Sequence, residues 1–191
     1  MIEKMIETRT SVKNLGVAVD NGLSFCGYAA TWETYDMSSF AERIEPAAFT
    51  RAIVNADVMA LLNHDSTLPL ARTTNGSLRL TVDDVGLRCD FDAVDTSYAR
   101  DMSGLVRAGV LSSMSFGFRC LADLYEPRAG TTPLRVIQDL EILEVSVVAF
   151  PANPGTSIDT RGLDLWRAAQ AEASAQAEGT KYRRRYICLP S

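Results

Sequence analysis

Residues 109–120, GVLSSMSFGFRC, constrain the fold more than any other stretch of this chain. In an extended strand, successive side chains point to opposite faces. One face then carries Ser112, Met114, Phe116, Phe118 and Cys120, most of them large and apolar. The other carries Ser113, Ser115, Gly117 and Arg119, small and polar, with bare backbone at Gly117. Such a strand anchors its bulky side in a core. Its hydroxyl side suits either a solvated sheet face or the floor of a cleft, where a substrate comes close to a serine.

The rest of the chain reads mainly as strands. GLSFCGYAATW (22–32) is short, aromatic and rich in β-formers. VMALLNHD (58–65) is a buried strand by its apolar run. SLRLTV and GLRCDFDAV flank DDVG as a hairpin. LEILEVSVVAF, inside 133–154, is apolar on both faces, as in a strand covered on both sides, and PANP stops it. Two segments read as helices. Residues 43–57 place Pro46 in a first helical turn. Residues 96–109 put Tyr98, Met102, Leu105 and Val106 on one face, with Thr96 or Ser97 as cap and Gly109 closing. A third, Ala- and Glu-rich helix over 160–179 looks appended. About seven strands with few helices predict an α+β protein with a mostly antiparallel sheet. The expected organisation is a core over 1–158, followed by a helix and basic tail over 159–191.

Composition excludes several classes of function. Apolar residues make up 47% and charged residues 23%, ordinary values for a globular protein. The net charge of −5 gives no reason to expect nucleic-acid binding. Residues 181–191 carry four positive charges and no acid, which leaves −9 on the remainder. That tail reads either as a solvated end or as a docking segment for an acidic partner surface. The opening MIEKMIETRT lacks the apolar core of a signal peptide, and no run approaches a membrane span. Four scattered cysteines and one histidine offer no metal-ligand spacing. Glycine-rich phosphate loops are absent as well. No metal or organic cofactor is expected.

What remains is a nucleophile, a base and an orienting acid. His64 is the only histidine, and imidazole is the side chain whose unperturbed titration lies near neutrality. It can therefore take a serine proton, or it can be a structural histidine at a strand end sharing the parity of Leu62. Asp65 should point away from it along an extended strand. Glu144 falls on a largely apolar strand, where a carboxylate is costly unless partnered. Its partner is an arginine, or the imidazole N–H of His64 in the manner of a catalytic triad. Ser113 and Ser115 share the right parity for a nucleophile, and Ser112 does not. Arg72 and Arg119 read as surface or ion-pair arginines that could stand near an oxyanion.

NHD, then MSFGF some fifty residues on, then LEVSVVAFPANP, in that order, resemble the prohead maturation proteases of tailed bacteriophages. These are similar in fold to the herpesvirus assemblins. The resemblance runs from about residue 5 to 158. It implies a barrel-like sheet and a serine endopeptidase that cuts scaffold and major capsid protein inside the assembling shell, in the host cytoplasm. It carries the nucleophile onto Ser115, the general base onto His64 and the third member onto Glu144. The implied partners are the major capsid protein and its scaffold segment. Portal protein and a homo-oligomer stay open, and no membrane or nucleic-acid partner is implied. A capsid-assembly scaffold protein that keeps the fold without cutting is the alternative. Another serine hydrolase has less support, since no GxSxG elbow is present.

Overall fold

A computed structural model describes residues 5–10, 18–20, 22–149, 168 and 171. Contacts divide the chain into two units, Met1–Ile158 and Asp159–Ser191. The basic tail, the PANP segment and, apart from two helical alanines, the 160–179 helix lie outside the described residues.

In chain order the strands are β1 (Glu7–Thr10), β2 (Ala18–Asp20), β3 (Ser24–Thr31), β4 (Tyr35–Asp36), β5 (Ala41–Ile44), β6 (Met59–Leu62), β7 (Asp65–Arg72), β8 (Leu78–Val82), β9 (Gly86–Asp92), β10 (Ser113–Glu126) and β11 (Leu134–Val148). The helices are α1 (Pro46–Ala52), between β5 and β6, and α2 (Ser97–Arg107), between β9 and β10. The long strands β10 and β11 pair antiparallel and form the spine of a seven-stranded sheet. β1 lies along the free edge of β10. The far edge of β11 is shared, with β5 parallel to its first part and β6 parallel to its last. A second, four-stranded antiparallel sheet runs β2-β3-β9-β8.

The architecture is therefore α+β and mostly sheet. The resemblance led us to expect a barrel, but in neither sheet do the outer strands meet, so none closes among the described residues. β1, β4 and β7 end the large sheet and β2 and β8 the small one; no ladder among the described residues joins these ends, so both sheets stay open.

The core forms where the apolar strand faces meet. Met114, Phe116 and Phe118 are buried in it, as the alternation on β10 predicts. Phe116 stacks on Phe118 at 5.2 Å and meets Phe49 of α1 edge-on at 5.3 Å. In α1, Pro46 stands in the first turn. The Thr96 hydroxyl caps α2 by accepting from the Ala99 amide at 3.2 Å.

On β11 the strict alternation fails. A register shift between Gly117 and Phe118 leaves Leu143 without an opposite residue. Such a bulge re-aims the chain. Val145 and Val147 face the core on one side of it, and Leu140 and Ile142 face the core on the other. Ile142 therefore does not share a face with Glu144, as plain alternation would have it.

Candidate active site

Strand β6 stops at Leu62, which pairs with Asp65, so Asn63 and His64 form a two-residue hairpin turn. Both have positive φ, 58° and 60°. That geometry matches the twist of the flanking strands and suits asparagine at the first position. His64 is thus a turn residue and does not continue the parity of Leu62. The turn is fastened to β11. The Asn63 amide donates to the Val147 carbonyl at 2.9 Å, and the Ala149 amide donates to Asn63 Oδ1 at 3.2 Å.

From this turn the imidazole reaches the middle of β11. His64 Nδ1 lies 2.7 Å from Glu144 Oε1. The imidazole is 30% exposed and the carboxylate 13%, so one end of the pair is open to solvent and the other is held inside. Glu144 stands opposite Gly117 in the β10–β11 register. A Cβ on Gly117 would fall 2.4 Å from Glu144 Oε1, so the absent side chain is what makes room for the carboxylate. Asp65 bonds elsewhere, though not for the reason that strand alternation gives, because His64 stands in a turn and not in an extended strand. Its carboxylate accepts from the Thr67 amide and hydroxyl, which hold it below the usual aspartate range.

Ser115 stands opposite Ser146, one pair along the same face. Its hydroxyl donates to the Arg9 carbonyl of β1 at 2.8 Å and makes no hydrogen bond to His64 or Glu144. The hydroxyl face of β10 is not open either: Ser113 is 6% exposed and Ser115 0%. Two contacts on that face account for part of the cover. The Glu144 side chain lies across Gly117, and β1 runs beside Ser115. Arg72 and Arg119 are occupied elsewhere, in ion pairs with Asp57 and Glu141.

One residue beside the pair escaped the sequence reading. The Ser146 hydroxyl donates to Glu144 Oε2 and accepts from the His64 amide at 3.2 Å. The available signal was its parity with Glu144 on β11.

On the bulky side of β10, where Glu7 stands opposite Phe118 and Arg9 opposite Phe116, four strands share a buried ion cluster. Arg9 Nη2 lies 2.7 Å from Glu7 Oε2 and 2.8 Å from Glu42 Oε2. Arg135 Nη1 lies 2.7 Å from the same Glu7 oxygen and 2.9 Å from Glu42 Oε2, while its Nε donates to Asp123. Burial pushes the Glu7 carboxyl up, but Arg135 and Arg9 outweigh it and hold the group below the usual carboxylate range. β1 is thereby locked beside Ser115.

The arrangement can hold one imidazole tautomer: a carboxylate on Nδ1 takes the N–H there and leaves Nε2 as a base. The family model described as caudovirus prohead serine protease matches residues 8–169. The prohead protease of Escherichia phage T5 is 31% identical over 123 residues, which cover 61% of this chain and 55% of that protein. The chain thus spans about half the length of the curated relative it matches. The solved bacteriophage T4 capsid assembly protease aligns with a TM-score of 0.49 at 12% identity, over 77% of this chain and 97% of that one. With the match covering most of its length, the chain belongs to the caudovirus prohead serine protease family.

Proposed function

We propose that this protein is a serine endopeptidase that cleaves scaffold and major capsid protein during prohead maturation, with Ser115 as nucleophile, His64 as general base and Glu144 as the acid that orients it. The observation that carries the reading is the 2.7 Å contact between His64 Nδ1 and Glu144 Oε1, on the face that also holds Ser115. In the reaction Ser115 Oγ attacks the scissile carbonyl while His64 Nε2 takes its proton. The imidazolium, stabilised by Glu144, then protonates the leaving amine, and water repeats the cycle on the acyl-enzyme. Before attack the Ser115 hydroxyl must leave the Arg9 carbonyl, which a rotation about χ1 accomplishes. Catalytic hydrogen bonds commonly tighten only when substrate is bound. The reading takes 1–158 as the protease part, with the assemblin-like fold that the resemblance implies, and takes the Ala- and Glu-rich segment over 160–179 as an appended helix. It also places the protein inside the assembling shell. Among the described residues no helix is long and apolar enough to cross a membrane.

The full burial of Ser115 favours one competing reading, a capsid-assembly protein that keeps the fold without cutting. A fluorophosphonate probe separates the two. Labelling should map to Ser115 by peptide mass spectrometry, persist in Ser113→Ala and vanish in Ser115→Ala. Co-expression with the capsid gene should yield trimmed capsid protein only when Ser115 is present. The alanine variant should still fold, at a cost of about 1 kcal/mol for the buried hydrogen bond to Arg9. Label on Ser113, or trimming that survives Ser115→Ala, would show the nucleophile to be wrongly assigned. No label and no trimming would leave the non-cleaving reading.

A further inference from the structure

The two halves of the His64–Glu144 pair come from distant parts of the chain, and one side chain touches both. A serine hydroxyl has one proton to give and two lone pairs to receive. Ser146 gives its proton to Glu144 Oε2 and receives the His64 backbone N–H at 3.2 Å. It is 0% exposed, so water does not compete for either bond. Glutamate is long, and its terminal carboxyl torsion is broad, so a carboxylate held only by its stem would turn freely. Pinning Oε2 fixes where Oε1 points, which is at His64 Nδ1. The same hydroxyl holds the root of the imidazole, because the amide it accepts belongs to a residue in the left-handed conformation at the end of a hairpin.

We propose that Ser146 is a positioning residue of the His64–Glu144 pair. It holds the carboxylate and the turn together, so that His64 stays in the tautomer with its proton on Nδ1 and with Nε2 bare. The proposal rests on the reading of His64 and Glu144 as a base and its orienting acid, and is independent of which serine is the nucleophile. A serine that merely fills space between β10 and β11 would leave the tautomer unaffected by its removal.

His64 is the only histidine, so nitrogen-15 NMR of the histidine-labelled protein reads its tautomer without assignment ambiguity. The full chain should show the Nδ1–H form. Ser146→Ala and Ser146→Cys should lose that preference and give an averaged spectrum. Their fluorophosphonate labelling should slow roughly ten- to hundredfold, by analogy with the loss when the hydrogen-bond partner behind a metal-binding histidine is removed. The cysteine variant fills the serine's space with a weak donor, so it decides the matter if the alanine variant fails to fold by circular dichroism. A folded variant that keeps the Nδ1–H form and labels within twofold of the parent overturns the proposal. If the parent itself takes no label, the endopeptidase reading fails, and the tautomer comparison alone still decides the role of Ser146.

Discussion

At Gly117 a single hydrogen stands where any other residue would carry a carbon. The Cβ of an alanine would meet Glu144 Oε1 at 2.4 Å and its Cγ at 3.2 Å. The atom met first is the far end of a flexible side chain, so the strand can accept the methyl group by letting the carboxylate move. The fold then survives, and the contact with His64 does not. We expect Gly117→Ala to keep its urea midpoint close to the parent and to slow fluorophosphonate labelling at least tenfold, with loss of the Nδ1–H signal of His64. Preserved labelling would show that Glu144 finds His64 by another rotamer. In the sequence, Gly117 was visible as bare backbone on a polar face. What fills that space was not, because Glu144 reaches it across a pairing between residues that the chain separates widely.

Among the elements, those with a local signature were legible and those made by their neighbours were not. Thr96 as a cap, Pro46 in a first turn and the bulky side of β10 all follow from residues close in sequence. The two-residue strand β4 and the short β5 exist because they pair with one another and β11 receives β5, which no local pattern announces. Pro69 obscured β7, since proline cannot donate to a ladder; the strand tolerates it where the pairing with β6 is irregular. The bulge at Leu143 likewise defeats alternation on β11. Of the candidate site, the residue types and their strands were readable, and the His64–Glu144 pairing stood as one of two alternatives. The turn that delivers His64 was hidden inside an apolar run read as one strand. That turn can be tested as an element. Asn63 sits at φ 58°, where a β-branched residue is strained by roughly 1–2 kcal/mol and glycine is at ease. Asn63→Val should therefore lower stability by about that amount and displace His64, slowing labelling. Asn63→Gly should keep the turn and most of the labelling rate, less the bond that Asn63 Oδ1 makes to Ala149. Equal behaviour of the two variants in urea melts would show that the turn's conformation does not govern the hairpin.

For the whole molecule, the buried ion cluster does what no single strand could. Glu7 and Arg9 come from β1, Glu42 from β5, Asp123 from β10 and Arg135 from β11, so the cluster is complete only when the spine of the large sheet has assembled. A buried pair adds little over apolar packing, yet breaking one is costly, about 3 kcal/mol or more, because a charge is left in the interior. Specificity of assembly is the physical use: β1 can dock on β10 in the register that meets Glu42 and Arg135, and a slip would strand these charges. The cluster also makes stability depend on acid. In the unfolded chain Glu7 titrates near its ordinary 4.5, and in the fold it titrates lower. Between those two values the unfolded state binds more protons, so stability rises with pH. The contribution is complete above about 4.5 and is lost as pH falls through the folded value. Urea melts at pH 7 and pH 3.5 should therefore show a loss of stability on acidification in the parent. Glu7→Gln should begin about 3 kcal/mol lower at pH 7 and lose less on acidification, since it has no proton to take up at that position. Because β1 supplies the carbonyl that receives the Ser115 hydroxyl, the same substitution should also raise exchange of the β1 and β10 amides. An identical acid loss in parent and Glu7→Gln would place the pH dependence in other carboxylates and remove Glu7 as the lock on this edge of the sheet.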